Sequence, residues 1–322
     1  GMIIVTGAAG FIASALISEL NKYNFNNIIA VDLFDSDLKN KNLEGKKITH
    51  RVNRHELDDW IQLNHEEIEF IFHLGARTDT AEFDRVLLAK LNTDYSKMVW
   101  QNCVAYQIPL VYASSAATYG LGEFGFDDQE DLSEKLMPLN PYGDSKNEFD
   151  IWALKETKKP FFWAGLKFFN VYGPNEYHKD RMASVVYHAF NQISITDSMK
   201  LFRSHNPKFS DGGQMRDFVY VKDVVKVMFW LMHHRKDPGL YNLGSGQARS
   251  FLDLVKAVFV ALGKDEKISF IDTPEDIRNK YQYFTEAKME KLKGIGYPHT
   301  FTTLEAGIND YVSDYLKAQK RY

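Results

Sequence analysis

An apolar run, Met2–Thr6 (MIIVT), passes straight into Gly7-Ala8-Ala9-Gly10 and then into a helix-period stretch, Phe11–Tyr23. No other feature constrains the fold as much. A strand without a polar face must be covered on both sides, and a strand running at once into a helix is the first half of a parallel βαβ unit. Glycine at 7 permits a tight turn, and glycine at 10 lets a pyrophosphate approach the backbone. The amino end of the helix then offers N–H donors and the positive end of its dipole. Ala13 occupies the third small position, where helix packs on strand. A bare Gly-x-x-Gly also serves as an ordinary turn. Its place between strand and helix gives the phosphate-binding reading its weight.

Further apolar runs at Ile28–Asp32 (IIAVD), Phe70–Leu74 (FIFHL), Ile108–Ala113 (IPLVYA) and Phe162–Phe169 alternate with helix-period stretches, clearest at Glu82–Tyr106 and Tyr142–Thr157. The alternation predicts an α/β fold, a doubly wound parallel (Rossmann) sheet with its ligand site at the carboxyl ends of the strands. Beyond Asn170 the pattern loosens. Loop-forming stretches lie at Gly173–Arg181 and His205–Gln214, followed by a strand at Gly239–Gly244 and helices at Ser250–Leu262 and Thr303–Lys317. We expect an NAD(P)-binding domain over residues 1–169. A smaller α/β substrate domain is expected over 170–322, with some of its segments returning to the first. No repeat, low-complexity tract or linker rich in Pro, Gly or Ser interrupts the chain.

Acidic and basic residues nearly balance, 43 against 39, so no broad field draws the chain to nucleic acid or to anionic membrane. A phosphate-bearing ligand must be met by a few placed cations. The single cysteine, Cys103, rules out an intrachain disulfide and falls in an apolar-periodic run, where a buried thiol is the expectation. No window is apolar enough to cross a membrane, and the first run is too short for a signal peptide. The expectation is a soluble, cytoplasmic protein with no metal site.

Asp32 ends the second strand, where a carboxylate accepts from an adenosine ribose hydroxyl and favours NAD over NADP. Lys39 and Arg54 lie close by in sequence and reverse that preference if they pair with a 2′-phosphate. The stronger signal is Tyr142-Gly143-Asp144-Ser145-Lys146 at the start of a helical pattern. Residues four apart share a helix face, so Tyr142 and Lys146 point the same way. A free tyrosine, with a pKa near ~10, is a poor base at neutral pH, and an adjacent ammonium favours its phenolate. Tyr112–Gly120 (YASSAATYG) follows the fourth apolar run and sets Ser115 at a strand end, able to hydrogen-bond the same reacting oxygen.

With strand, serine, tyrosine, lysine and glycine turn in this order, the chain resembles the extended short-chain dehydrogenases, a family of nucleotide-sugar epimerases and dehydratases. Longer strings resemble the branch that inverts C6 of an ADP-linked heptose for lipopolysaccharide. They are YASSAATYG, Phe169–Pro174 (FNVYGP), His178-Lys179 with Met182–Val185 (HK..MASV), Arg216–Val221 (RDFVYV), and Tyr281-Gln282 with Phe284-Thr285 (YQ.FT). The resemblance spans essentially the whole chain, and HK..MASV is its most discriminating string. It implies an isomerase in which Tyr142 and Lys179 are the two acid/base residues, one for each face of a keto intermediate. On spacing alone Lys179 reads as a solvated loop lysine. The resemblance further places Gly7, Gly10, Phe11, Ile12, Asp32, Lys39, Arg54, Asn92, Tyr142, Lys146 and Asn170 at the cofactor. It tilts that cofactor to NADP, with NAD the alternative. Thr78, Val171, His188, Phe202, Arg216 and Tyr281 are implied to line the substrate pocket. His188 reads equally well as an ordinary core or surface histidine. A homo-oligomer, in this branch a pentamer, is implied as well.

The chain also departs from that pattern. Family members usually carry glycine at the position of Ala13, asparagine at Leu33, an acidic residue at Leu74 and serine at Arg181, and Lys208–Gln214 (KFSDGGQ) is longer than expected. A 4,6-dehydratase would need Asp-Glu just after its serine or threonine, where Ala116 and Ala117 stand. Two alternatives stay open: another nucleotide-sugar epimerase, such as a UDP-hexose 4-epimerase, and a cofactor-binding regulator without catalysis.

Overall fold

A computed structural model describes residues 1–76 and 84–322. Its first half alternates as the sequence predicts: β1 (Met2–Thr6), α1 (Phe11–Lys22), β2 (Ile28–Asp32), α2 (Asp37–Asn40), β3 (His50–Asn53), α3 (Leu57–Asn64), β4 (Ile68–His73), α4 (Arg85–Tyr106), β5 (Leu110–Ser115), α5 (Pro141–Lys155) and β6 (Trp163–Phe168). The edge strand β3 and helix α3 were not anticipated, because β3 (HRVN) buries one side chain and carries no apolar run. The second half holds β7 (Asn170–Tyr172), α6 (Val185–Thr196), β8 (Met199–Phe202), β9 (Met215–Arg216), β10 (Phe218–Tyr220), α7 (Val221–His233) and β11 (Gly239–Leu243). It continues through β12 (Arg249–Ser250), α8 (Phe251–Leu262), β13 (Ile268–Ile271), α9 (Glu290–Gly294) and α10 (Leu304–Tyr311).

Seven strands form one sheet in the order β3-β2-β1-β4-β5-β6-β11, and every neighbouring pair in it is parallel. Their side chains are covered on both faces, which is why the strands read as unbroken apolar runs. On one face Ile3, Val5, Phe70 and Phe72 pack with α1 and α7 through Leu16, Leu20, Val224 and Met228. On the other, Ile4, Ile29, Ile71 and Leu110 meet α4 and α5 through Val99, Trp100 and Phe149. Cys103 lies in that second layer, fully buried, and burial pushes its thiol well above the ordinary range. A third core gathers α6, α8, α10 and the short strands β8 and β10 around Ile193, Leu201, Val258 and Ile308. The order of the seven-stranded sheet reverses direction between β1 and β4, so the crevice of a doubly wound sheet opens above those two strand ends. Among the described residues, no helix is long and apolar enough to cross a membrane.

Candidate active site

At the reversal two backbones touch. Gly7 has φ +65°, and a Cβ there would stand 2.6 Å from the Cα of Gly75, while one on Gly75 would stand 2.7 Å from the Gly7 nitrogen. Neither position tolerates a side chain. Gly75 escaped the sequence reading, although a glycine two residues past a strand end was the available signal. Below the contact, the Thr6 hydroxyl accepts the backbone N–H groups of Leu74 and Gly75, each at 3.0 Å, and so gives its proton to His73 Nδ1 at 2.7 Å. Burial holds His73 down at about 3, so the ring is neutral and its other nitrogen faces Ser96 at 2.9 Å.

Asp32 is tied into the same turn. One carboxylate oxygen accepts from Ala9 N at 3.1 Å, and the other from Leu33 N at 2.8 Å and Lys39 Nζ at 3.3 Å. The Arg54 guanidinium lies over the Tyr95 ring at 4.4 Å. With Thr6, Gly7, Val31, Gly75 and Ala76 these residues line one recess. The structure thus brings Gly7, Asp32, Lys39 and Arg54 together. Phe11 opens α1 right after Gly10, Ile12 is half-buried beside it, and Asn92 is half-buried on α4 one turn before Ser96. Glycine-only backbone, an uncapped helix amino end, an anchored carboxylate and two cations fit a dinucleotide.

Ser115 ends β5, and its hydroxyl oxygen accepts from Ala117 N at 3.0 Å, which leaves the proton to be donated outward. Helix α5 starts one residue earlier than its apolar period suggests, because Asn140 caps it through Gly143 N at 2.8 Å and Pro141 occupies its first position. Tyr142 on this first turn is 51% exposed, as a phenol must be to meet a ligand. Lys146, one turn on, donates to the Ala113 carbonyl at 2.8 Å and lies 5.8 Å from the Tyr142 ring centre. Gly143 makes this proximity possible, since a Cβ there would come within 2.8 Å of the Ala117 carbonyl. Beneath them a buried group went unnoticed in the sequence. Asp150 accepts from Tyr112 Oη at 2.8 Å and Ser114 Oγ at 2.6 Å, with Lys167 Nζ at 4.0 Å. Burial pushes this carboxyl up and the lysine down.

Lys179 lies in an irregular helical turn, Tyr177–Met182, broken at Asp180 with φ 53°. Its ammonium stands over the Phe11 ring at 5.3 Å, at the amino end of α1. The solvated loop lysine that spacing suggests is therefore a half-buried group facing the dinucleotide turn. The loop is held by Glu176, which is buried and accepts Gly173 N at 3.2 Å, Ser184 N at 2.6 Å, and the hydroxyls of Ser184 and Tyr311 at 2.8 Å each.

Farther along, Arg216 is 9% exposed, donates to the Met215 carbonyl at 2.9 Å and lies over the rings of Phe251 and Tyr281 at 5.2 and 5.5 Å. It has no carboxylate partner among the described residues. Phe202 meets Tyr281 edge to face at 6.0 Å, so Phe202, Arg216 and Tyr281 form one cluster. Val171 is half-buried and Asn170 exposed on β7, just past the end of β6. His188 instead turns toward the Arg181 carbonyl at 3.1 Å, and nothing ties it to Arg216. Thr78 lies outside the described residues.

The model of the NAD dependent epimerase/dehydratase family matches residues 3–244. The chain belongs to that family. The cofactor of such a chain is a nicotinamide dinucleotide, in keeping with the seat above. An ADP-L-glycero-D-manno-heptose-6-epimerase of Fusobacterium nucleatum is 45% identical over the full length of both chains. One of Nitratidesulfovibrio vulgaris is 46% identical over 98% of each. The crystal structure of the Helicobacter pylori ADP-L-glycero-D-manno-heptose-6-epimerase superposes with a TM-score of 0.80 at 29% identity, covering 97% of this chain and 95% of that one.

Proposed function

We propose that this chain inverts C6 of ADP-D-glycero-D-manno-heptose to the L-glycero epimer, a precursor of the lipopolysaccharide core, through a 6-keto intermediate and return of the hydride. Full-length relatives bearing that activity in their names support the reading. The observation that carries it is Lys179, held over Phe11 at one helix start while Tyr142 opens another. Inverting a carbinol centre requires a proton carrier for the hydroxyl of each epimer, and these are two separate ones.

A bound nicotinamide dinucleotide supplies the hydride acceptor and donor. Gly7, Gly10, Phe11, Ile12, Asp32, Lys39, Arg54, Asn92 and Asn170, with Tyr142 and Lys146, would hold it. Tyr142 exchanges the hydroxyl proton of one epimer and Lys179 that of the other. Ser115 donates its free proton to the reacting oxygen, and the Lys146 ammonium stabilises negative charge growing on the Tyr142 oxygen. Arg216, desolvated and without a carboxylate partner among the described residues, is suited to grip the diphosphate bidentately, and we assign Phe202, Tyr281, Val171, His188 and Thr78 to the same pocket. NADP is the form we assign, because Lys39 already offsets Asp32 and Arg54 flanks the same recess. Lys39→Ala should then weaken NADP at least ~10-fold while NAD changes little, read by titration of the two dinucleotides. Light scattering tests the homo-oligomer.

The deciding experiment supplies ADP-D-glycero-D-manno-heptose in heavy water. Inversion without deuterium at C6 is expected. Deuterium at C6 overturns the hydride-return mechanism, and turnover of UDP-hexoses in place of the heptose assigns a 4-epimerase.

A further inference from the structure

The Lys179 segment has little regular structure of its own, with left-handed residues at Asn175 (φ 83°) and Asp180 (φ 53°). Two buried side-chain amides hold it. Asn42 is 1% exposed, and its Nδ2 lies within hydrogen-bonding reach of the Ala9 carbonyl (2.9 Å), the Asn175 carbonyl (3.4 Å) and His178 Nδ1 (3.2 Å). Its Oδ1 accepts from Arg321 Nε at 3.1 Å. Asn175, fully buried, donates to Ser14 Oγ on α1 at 2.9 Å and to the Tyr322 carbonyl at 3.0 Å, and accepts from Tyr322 N at 2.9 Å. Lys46 closes the group by donating to the carbonyls of Asn42 and Tyr322.

Burying an amide is costly unless its donors and acceptor are met, so these two are strongly directional fasteners. They join three stretches far apart in sequence: the dinucleotide turn with α1, the residues flanking Lys179, and Arg321-Tyr322. Burial, reinforced by Lys39 and Lys179, holds His178 near about 4, so its ring stays neutral and can accept from Asn42. No hydrogen bond in the group reaches Ser115, Tyr142 or Lys146.

We propose that Asn42 and Asn175 are positioning residues for Lys179, fixing its segment to the dinucleotide turn so that proton transfer at one epimer, and not at the other, depends on them. The proposal rests on the reading of Lys179 as the second acid/base group. Its signature is an asymmetry that general loosening of the fold does not produce.

The test uses the holoenzyme loaded with oxidised cofactor and mixes it with each ADP-heptose epimer separately, following the absorbance of reduced nicotinamide in a single turnover. Asn42→Ala and Asn175→Gly should slow reduction by one epimer about tenfold or more and leave the other within about twofold, as expected when a catalytic group is displaced slightly. Glycine is chosen at 175 because it adopts a positive φ without strain. Arg321→Ala provides a milder variant should Asn42→Ala fail to fold, with the same asymmetry expected at a few-fold. Equal slowing of both epimers, or no slowing of either, overturns the proposal. Lys179→Met should slow the same epimer. If it does so while the amide variants stay fast, the proposal alone fails; if it slows neither, the reading of Lys179 falls with it.

Discussion

The two groups we propose as proton carriers are built in opposite ways. Tyr142 and Lys146 ride on a regular helix, capped by Asn140 and pressed on the Ser115 turn through Gly143. Their spacing comes from the helical repeat. Lys179 rides on a broken turn held by the Glu176 carboxylate and the amides of Asn42 and Asn175. Its position comes from side chains more than a hundred residues apart along the chain, among them the Asn42–His178 contact with a separation of 136. A group on a helix is placed by local geometry, whereas one on a loop is only as well placed as its tethers.

Substitutions can break that contrast. Tyr142→Phe removes the phenol and leaves the helix, so epimerisation should fall by about two to four orders of magnitude with an unchanged melting temperature. Lys179→Met should cost about as much, and wild-type turnover in that variant would show that Lys179 carries no proton in the reaction. Gly143→Ala places a methyl 2.8 Å from the Ala117 carbonyl, so the start of α5 must shift. We expect kcat to drop about 10- to 100-fold, with cofactor affinity less affected. For the loop, Glu176→Gln presents an amide N–H₂ to donors that need an acceptor. A loss of about 1–3 kcal/mol in denaturant unfolding is expected, and an unchanged midpoint would show the loop to be held elsewhere.

The smallest effect concerns pH. His73 titrates near 3 in the fold against 6.5 in an ordinary chain, so between those values the unfolded state binds the extra proton. Stability contributed by the neutral ring is present above about pH 6.5 and is lost as pH falls toward 3. His73→Gln should flatten the acid side of the stability curve relative to the parent protein. Parallel curves would mean that His73 is not held neutral.

What the sequence made legible follows the same division. The five strands of the first half that carry apolar runs, and the helix bearing Tyr142 and Lys146, were readable because their periods are local. Ser115 and the glycine turn were placed by their order along the chain. Asp150 and the amides of Asn42 and Asn175 were not readable, since their reasons lie across the fold, at a buried lysine and a distant loop, while Gly75 offered only its place after a strand end and owes its role to a backbone contact at Gly7. Lys179 could be picked out by resemblance, but its placement over Phe11 has no local signal at all. The edge strand β3 shows the converse limit, a strand too polar to announce itself.

Cys103 gives the molecule an internal clock. It is the only thiol in the chain, and it is sealed in the layer between α4 and the sheet. A thiol reagent can reach it only when that layer parts, so the rate of labelling measures how often the face opposite α1 opens. Slower labelling on adding dinucleotide would report stabilisation carried through the sheet from a ligand that never touches the sulfur.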